Sequence, residues 1–220
     1  MNAQRGQDGL LSPDSVLHRA AERLAHHFTG LVGEETVERV VFESYTALAR
    51  TATVTSHLPP LAEKFARDRL VALTQSRGQV AKAVPEILYV CVQNSGRSQM
   101  AAAITRQLAG DRVHVRSAGS QPAAGLLPGV VAVLEEAGID LSEEFPKPLT
   151  DDVVRAADAV VTMGCGDACP LYPGKRYLDW QLTDPSGLDL DGVRAVRDQI
   201  QAHVEQLLAE LLPPSTATNA

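Results

Sequence analysis

Apolar residues recur at helical spacing through the first 80 positions. Ser12 can cap a helix that carries Pro13 in its first turn. Val16, Leu17, Ala20, Ala21, Leu24, Ala25 and Phe28 then return to one face. Gly30 and Gly33 punctuate the pattern, and Glu34 and Glu35 suit the positive end of a second helix. Its apolar face is Val37, Val40, Val41, Tyr45 and Leu48. Pro59 and Pro60 start a third helix, with Leu61, Phe65, Ala66, Leu70 and Leu73 inward. Three amphipathic helices with short connections predict a small three-helix bundle over 12–77, followed by a linker over 78–85.

After Pro85 the pattern changes. Ile87 to Val90 is a short apolar run, as expected of a buried strand. A Ser/Gly-containing loop and the helical stretch QMAAAITRQLA follow. Val113 to Ser117 reads as a second strand, and VVAVLEEAG as a helix ended by Gly138. A helix near Asp151 to Ala157 leads to a strand over Ala159 to Met163. Arg176 to Trp180 reads as a fourth strand and Leu190 to Leu212 as a closing helix. This alternation predicts an α/β domain over 86–212, a four-stranded parallel sheet with helices on both faces. The tail PPSTATNA, 213–220, reads as disordered.

Composition adds three constraints. Hydrophobic residues are 45% and charged residues 21% of 220, ordinary values for a globular chain with a sizeable core. The net charge of -7 argues against a general nucleic-acid binder. The first 80 residues hold 9 Lys+Arg and 9 Asp+Glu, so a DNA-reading bundle is poorly supported as well. No apolar run reaches membrane-span length, and the start lacks a signal-peptide core, so no membrane is expected and a cytoplasmic location follows by default. Three cysteines are an odd number, which disfavours a secreted disulfide framework and directs attention to thiol chemistry, metal binding or plain burial.

The stretch Cys91-Val92-Gln93-Asn94-Ser95-Gly96-Arg97-Ser98 lies between a predicted strand and a predicted helix. Ligands of open α/β sheets bind at the carboxyl ends of strands. A tight loop there turns successive N–H groups inward, and the helix adds its positive end. Both favour a thiolate at Cys91, whose pKa is expected to fall. Arg97 offers a planar fork of donors suited to a tetrahedral oxyanion. Ser98 can donate to the thiolate, and Asn94 tolerates the unusual backbone angles that would hold the loop. A buried structural cysteine beside a surface arginine is the competing reading.

The segment VCVQNSGRSQMA resembles the signature loop of the low-molecular-weight tyrosine phosphatase and arsenate reductase superfamily. The resemblance continues through RSAGS (Arg116 to Ser120), VVTMGCGDACP (Val160 to Pro170) and DWQLTDP (Asp179 to Pro185), and covers 86–212. It implies Cys91 as nucleophile, with the loop from Val92 to Arg97 binding substrate. It also implies that Asp184, in its Asp-Pro pair, is the acid that protonates a departing oxygen. Asp-Pro is otherwise a common turn signal. Asp179 and Asp189 are nearby but lie outside the matching pair.

Cys165 and Cys169 bear on which chemistry the loop performs. A phosphatase needs one thiol; reducing arsenic(V) needs a source of two electrons. The expected relay has four steps. Cys91 attacks arsenate; Asp184 protonates the leaving oxygen; Cys165 attacks Cys91 and expels arsenite; Cys169 attacks Cys165 and leaves a disulfide. Resemblance to thioredoxin-coupled arsenate reductases implies thioredoxin as the reductant. Here three residues separate the last two cysteines, fewer than in better-known members, so their division of labour stays open. A zinc site lacks ligands in sequence, since no histidine or further cysteine adjoins the pair. Inert buried thiols remain an alternative.

Three departures favour the reductase over a phosphatase. Ser186 and Gly187 follow the Asp-Pro pair where phosphatases commonly place an aromatic, aromatics are 4% of the chain, and Gly96 stands where those loops often carry a second cysteine. Ala102 stands where some members use a glutamate to help bind potassium, so no such site is expected. No metal and no cofactor are expected. A tyrosine phosphatase, a single-thiol arsenate transferase and a non-enzymatic oxyanion sensor are the competing functions. The bundle's apolar faces make a homodimer a further expectation.

Overall fold

The computed structural model describes residues 12–164 and 169–212. Expectations placed on Cys165 and on the tail 213–220 lie outside them. The chain divides into two compact units, residues 1–74 and 75–220.

The first unit is helical. Helix α1, Pro13–His27, is capped by Ser12, whose hydroxyl accepts from the Ser15 N–H at 3.3 Å. Leu17, Ala20, Ala21 and Leu24 form its buried stripe. Helix α2, Glu34–Ala49, buries Val37, Val40, Val41, Ser44 and Leu48 and packs against α1. Helix α3, Leu58–Ser76, starts one residue before the expected Pro59. Leu58, Ala62, Phe65, Ala66 and Leu70 are buried, whereas Leu61 and Leu73, expected inward, are half-buried. The stripe follows the 3.6-residue period from Leu58 through Ala62, Phe65 and Ala66, which rotates Leu61 to its flank. Ion pairs stitch the helices: Arg23 on Glu63 at 2.6 Å, and Arg69 on Glu43 at 3.1 Å.

The second unit is the predicted α/β layer structure. Strands β1 (Glu86–Cys91), β2 (His114–Gly119), β3 (Ala159–Met163) and β4 (Arg176–Asp179) form one parallel sheet in the order β2-β1-β3-β4. β2 begins one residue later than expected and runs two further, because its pairing continues until Cys91 meets Gly119. β1 is buried along its whole length, so it shows no polar alternation.

Side chains of alternate strand residues serve two faces. Ile87, Tyr89, Cys91, Val161 and Met163 share a core with α4 (Arg97–Ala109), α5 (Pro128–Glu136) and α7 (Leu190–Leu211). Leu88, Val90 and Val160, equally buried, belong to the opposite face, and α6 (Asp151–Ala156) packs on β1. Asp189 caps α7, accepting from the Gly192 N–H at 2.8 Å. The chain leaves β1 toward β2 on one side, and β3 lies on the other. That makes the carboxyl end of β1 a topological switch point, where open sheets form a crevice. Cys91 is its last residue.

Candidate active site

Residues 92–96 turn from β1 into α4 around the Cys91 sulfur. The carbonyls of Cys91, Val92, Gln93 and Ser95 accept from the N–H groups of Ser120 (3.2 Å), Gln121 (2.8 Å), Ala123 (2.9 Å) and Leu127 (3.0 Å). In a trans peptide the next N–H points the opposite way. The amides of Val92, Gln93, Asn94 and Gly96 are therefore turned away from the 120–127 wall, toward the concave side of the loop. For Asn94 the consequence is direct: its N–H lies 3.2 Å from Cys91 Sγ. Such a nest, with the first turn of α4 behind it, suits a thiolate and an oxyanion together.

Ser98 and Asn94 complete the loop. Ser98 Oγ lies 2.9 Å from Cys91 Sγ, and Asn94 Nδ2 donates to Ser98 Oγ at 2.8 Å. The serine thus has its lone pair taken by the amide and its proton available for the sulfur. Asn94 adopts φ 48, in the left-handed region. Its Oδ1 accepts from the Lys147 N–H at 2.8 Å and from Gln99 Nε2 at 3.1 Å. Gly119 backs the loop so closely that a Cβ there would lie 2.7 Å from the Val92 carbonyl oxygen and 2.9 Å from the Asn94 nitrogen.

Arg97 and Asp184 meet at the mouth. One guanidinium nitrogen donates to Asp184 Oδ2 at 2.9 Å, and another lies 3.3 Å from the Leu182 carbonyl oxygen. The Ser186 N–H holds the other carboxylate oxygen at 2.9 Å. Asp184 is the more exposed partner, at 56% against 11% for Arg97. Asp184 thus faces solvent while the arginine lines the crevice. The Asp-Pro loop is seated on the nest itself: a Cβ on Gly96 would meet Pro185 Cγ at 2.9 Å. Asp179 instead accepts from Thr162 Oγ1 at 2.6 Å, away from this pair.

The third strand delivers the next segment. Cys91 is level with Met163 across the β1–β3 pairing, so the chain leaves β3 beside the nucleophile. Gly164, with φ +74, follows; a Cβ there would lie 3.2 Å from an Arg97 guanidinium nitrogen. Cys165 falls outside the described residues. Cys169 is buried, with Sγ 3.9 Å from the Pro170 carbonyl oxygen. The Tyr177 hydroxyl ties the turn after it, accepting from the Tyr172 N–H at 2.8 Å and donating to the Pro170 carbonyl at 3.1 Å. Burial, with the neighbouring Cys169 sulfur, pushes the Tyr177 phenol above its ordinary value, so it remains a donor. No three His, Cys, Asp or Glu side chains among the described residues come together as a metal site.

The geometry thus groups Cys91, the amides of Val92, Gln93, Asn94 and Gly96, Arg97, Ser98 and Asp184 at one edge of the sheet. Reading the sequence did not single out Gln99, Gly119 or the Leu182 carbonyl. Each lies inside a motif that carries the resemblance: Gln99 in VCVQNSGRSQMA, Gly119 in RSAGS and Leu182 in DWQLTDP. An arrangement of thiol, anion nest, arginine fork and carboxylic acid can attack a tetrahedral oxyanion and protonate the oxygen that leaves.

Residues 86–214 match the family model of the low molecular weight phosphotyrosine protein phosphatase, and residues 17–74 that of the protein-tyrosine-phosphatase-like N-terminal domain. A thioredoxin-dependent arsenate reductase structure from Corynebacterium glutamicum superposes with TM-score 0.84 at 49% identity, covering 90% of this chain and 96% of that one. Arsenate reductase 1 of Staphylococcus epidermidis is 37% identical over 54% of this chain and 92% of its own. The glutaredoxin arsenate reductase of Synechocystis is 34% identical over 57% of this chain and 98% of its own. With more than half of its length matched by the family model, the chain belongs to the low molecular weight phosphotyrosine protein phosphatase family.

Proposed function

We propose that this protein reduces arsenate to arsenite through Cys91, with a disulfide relay through Cys165 and Cys169 that thioredoxin regenerates. One observation carries the choice of reduction over hydrolysis. The Cys91–Met163 register ends β3 level with the nucleophile, two residues before Cys165 in sequence, with Gly164 close to Arg97. Relatives that reduce arsenate, one of them thioredoxin-dependent at 49% identity, support the same reading.

The steps balance as follows. The Cys91 thiolate attacks arsenic while Arg97 and the loop amides hold the oxyanion. Asp184 gives its proton to a departing oxygen, which leaves as water, and a Cys91 sulfur–arsenic bond remains. The Cys165 thiolate attacks Cys91 Sγ. The sulfur–arsenic pair returns to arsenic, which falls from As(V) to As(III), and the two electrons come from the two thiols. Cys169 then attacks Cys165 and frees the Cys91 thiolate. Thioredoxin supplies two electrons to the Cys165–Cys169 disulfide. Such a cycle belongs in a reducing compartment, so we place the protein in the cytoplasm; no helix among the described residues is long and apolar enough to cross a membrane.

The test is arsenate-dependent NADPH oxidation with thioredoxin and thioredoxin reductase, beside Cys91→Ser, Cys165→Ser and Cys169→Ser. Wild-type turnover and three silent variants are expected. Persistent turnover of both relay variants with a low-molecular-weight thiol would favour a single-thiol transferase instead. An inactive wild type that hydrolyses an aryl phosphate would make the protein a phosphatase. For the bundle we propose self-association. Elution of the full chain at 23.5 kDa would refute it.

A further inference from the structure

Asn94 is the only residue other than glycine with positive φ among the described residues. An L-residue holds that conformation only where its surroundings over-determine it. Gln99, in the first turn of α4, has no exposed surface. Its Nε2 donates to the Asn94 carbonyl oxygen, to Asn94 Oδ1 and to the Phe145 carbonyl oxygen, each at 3.1 Å. Three oxygens converge on that nitrogen, so only a donor satisfies the position. Gln99 Oε1 accepts from no described residue. A side chain satisfied at one end alone is a poor choice for a core that methionine could fill. Its donor end is what the position requires.

The contacts lead onward to the sulfur. Asn94 donates its N–H to Cys91 Sγ and its Nδ2 to Ser98 Oγ, which faces the same sulfur. We propose that Gln99 is a positioning residue of the Cys91 site: it clamps Asn94 in its left-handed conformation and so keeps the anion nest in shape. The clamp also fastens the nest to the 145–147 segment, since the Lys147 N–H shares Asn94 Oδ1. The proposal rests on Cys91 as the oxyanion-site thiol, and not on whether arsenate or phosphate is the substrate.

Alkylation of the reduced full chain by iodoacetamide, read peptide by peptide, scores Cys91 separately from the other two thiols. Inorganic phosphate serves as the nest probe, through the concentration that half-protects Cys91. Gln99→Met should raise that concentration about tenfold, the loss expected when a buried polar partner is removed. Asn94→Ala should raise it at least as much. The double variant should match Asn94→Ala alone, because the clamp has nothing left to hold. A role in packing would lower the melting temperature and leave protection within twofold of wild type, which overturns the proposal; so would effects that multiply. Gln99→Glu, equal in size but lacking the donor, repeats the test if the methionine variant does not fold. Should phosphate fail to protect wild-type Cys91, the nest itself is refuted and the clamp with it.

Discussion

At Gly119 the absence of one carbon atom decides whether the anion nest can form. A Cβ would stand 2.7 Å from the Val92 carbonyl oxygen, 2.9 Å from the Asn94 nitrogen and 3.0 Å from Asn94 Cβ. Two of those three neighbours are backbone, and the Val92 carbonyl is already fixed by the Gln121 N–H. The loop must therefore move, and a misplacement near 1 Å costs about a hundredfold in turnover. Gly119→Ala should lower kcat/KM for arsenate by roughly that factor while the chain stays folded, as steady-state kinetics beside circular dichroism will show. A variant within threefold of wild type would mean that the loop has slack. This glycine also marks where residue-level reading of the sequence stops. Cys91, Asn94, Arg97 and Ser98 are legible because all lie in eight consecutive residues whose spacing carries the chemistry. Gly119 backs Val92 and Asn94 from at least 25 residues away, and Gln99 joins its near neighbour Asn94 to Phe145, 46 residues on; these contacts exist only once β1 has paired with β2 and the 145–147 segment has docked. Periodicity reports Gln99 as an ordinary position at the start of a helix.

Among the elements, the helices were readable wherever caps and period agreed, as at Ser12 with the Leu17–Leu24 stripe. The face of α3 was misjudged where two adjacent prolines masked its start: Leu58 and Ala62 point inward, and Leu61 does not. Interhelical ion pairs left no such signature. Glu43 lies between Arg39, on its own helix at 2.8 Å, and Arg69 of α3 at 3.1 Å. Burial works against its charge, yet the two guanidiniums outweigh it and hold the carboxyl below its ordinary value. A carboxyl depressed in the folded state adds stability above the unfolded value of about 4.3, and loses it as pH falls through the folded value. Both arms are partly exposed, so the gain is modest, about 0.2–1 kcal/mol. Glu43→Gln should lower the melting temperature at pH 7, and the gap should close near pH 3. A gap equal at both pH values would assign the effect to packing.

The whole chain combines two units whose relatives differ in extent. The Staphylococcus epidermidis and Synechocystis reductases match only 54% and 57% of this chain, yet those matches cover 92% and 98% of their own lengths. The phosphatase-family match, residues 86–214, falls inside the second compact unit, 75–220. The core of that unit is continuous from Ile87 to Leu208 and draws on no residue of α1 or α2. Every described group that the mechanism uses, from Cys91 to Asp184, belongs to it. Chemistry should therefore survive without the bundle. A chain beginning at Gln75 should fold and reduce arsenate with kcat within about threefold of the full protein, a change worth less than 1 kcal/mol in the barrier. Thioredoxin-coupled turnover of the two proteins, measured side by side, checks this. A hundredfold drop with intact circular dichroism would instead place part of the working site in the N-terminal unit, and would make the bundle a component of the enzyme.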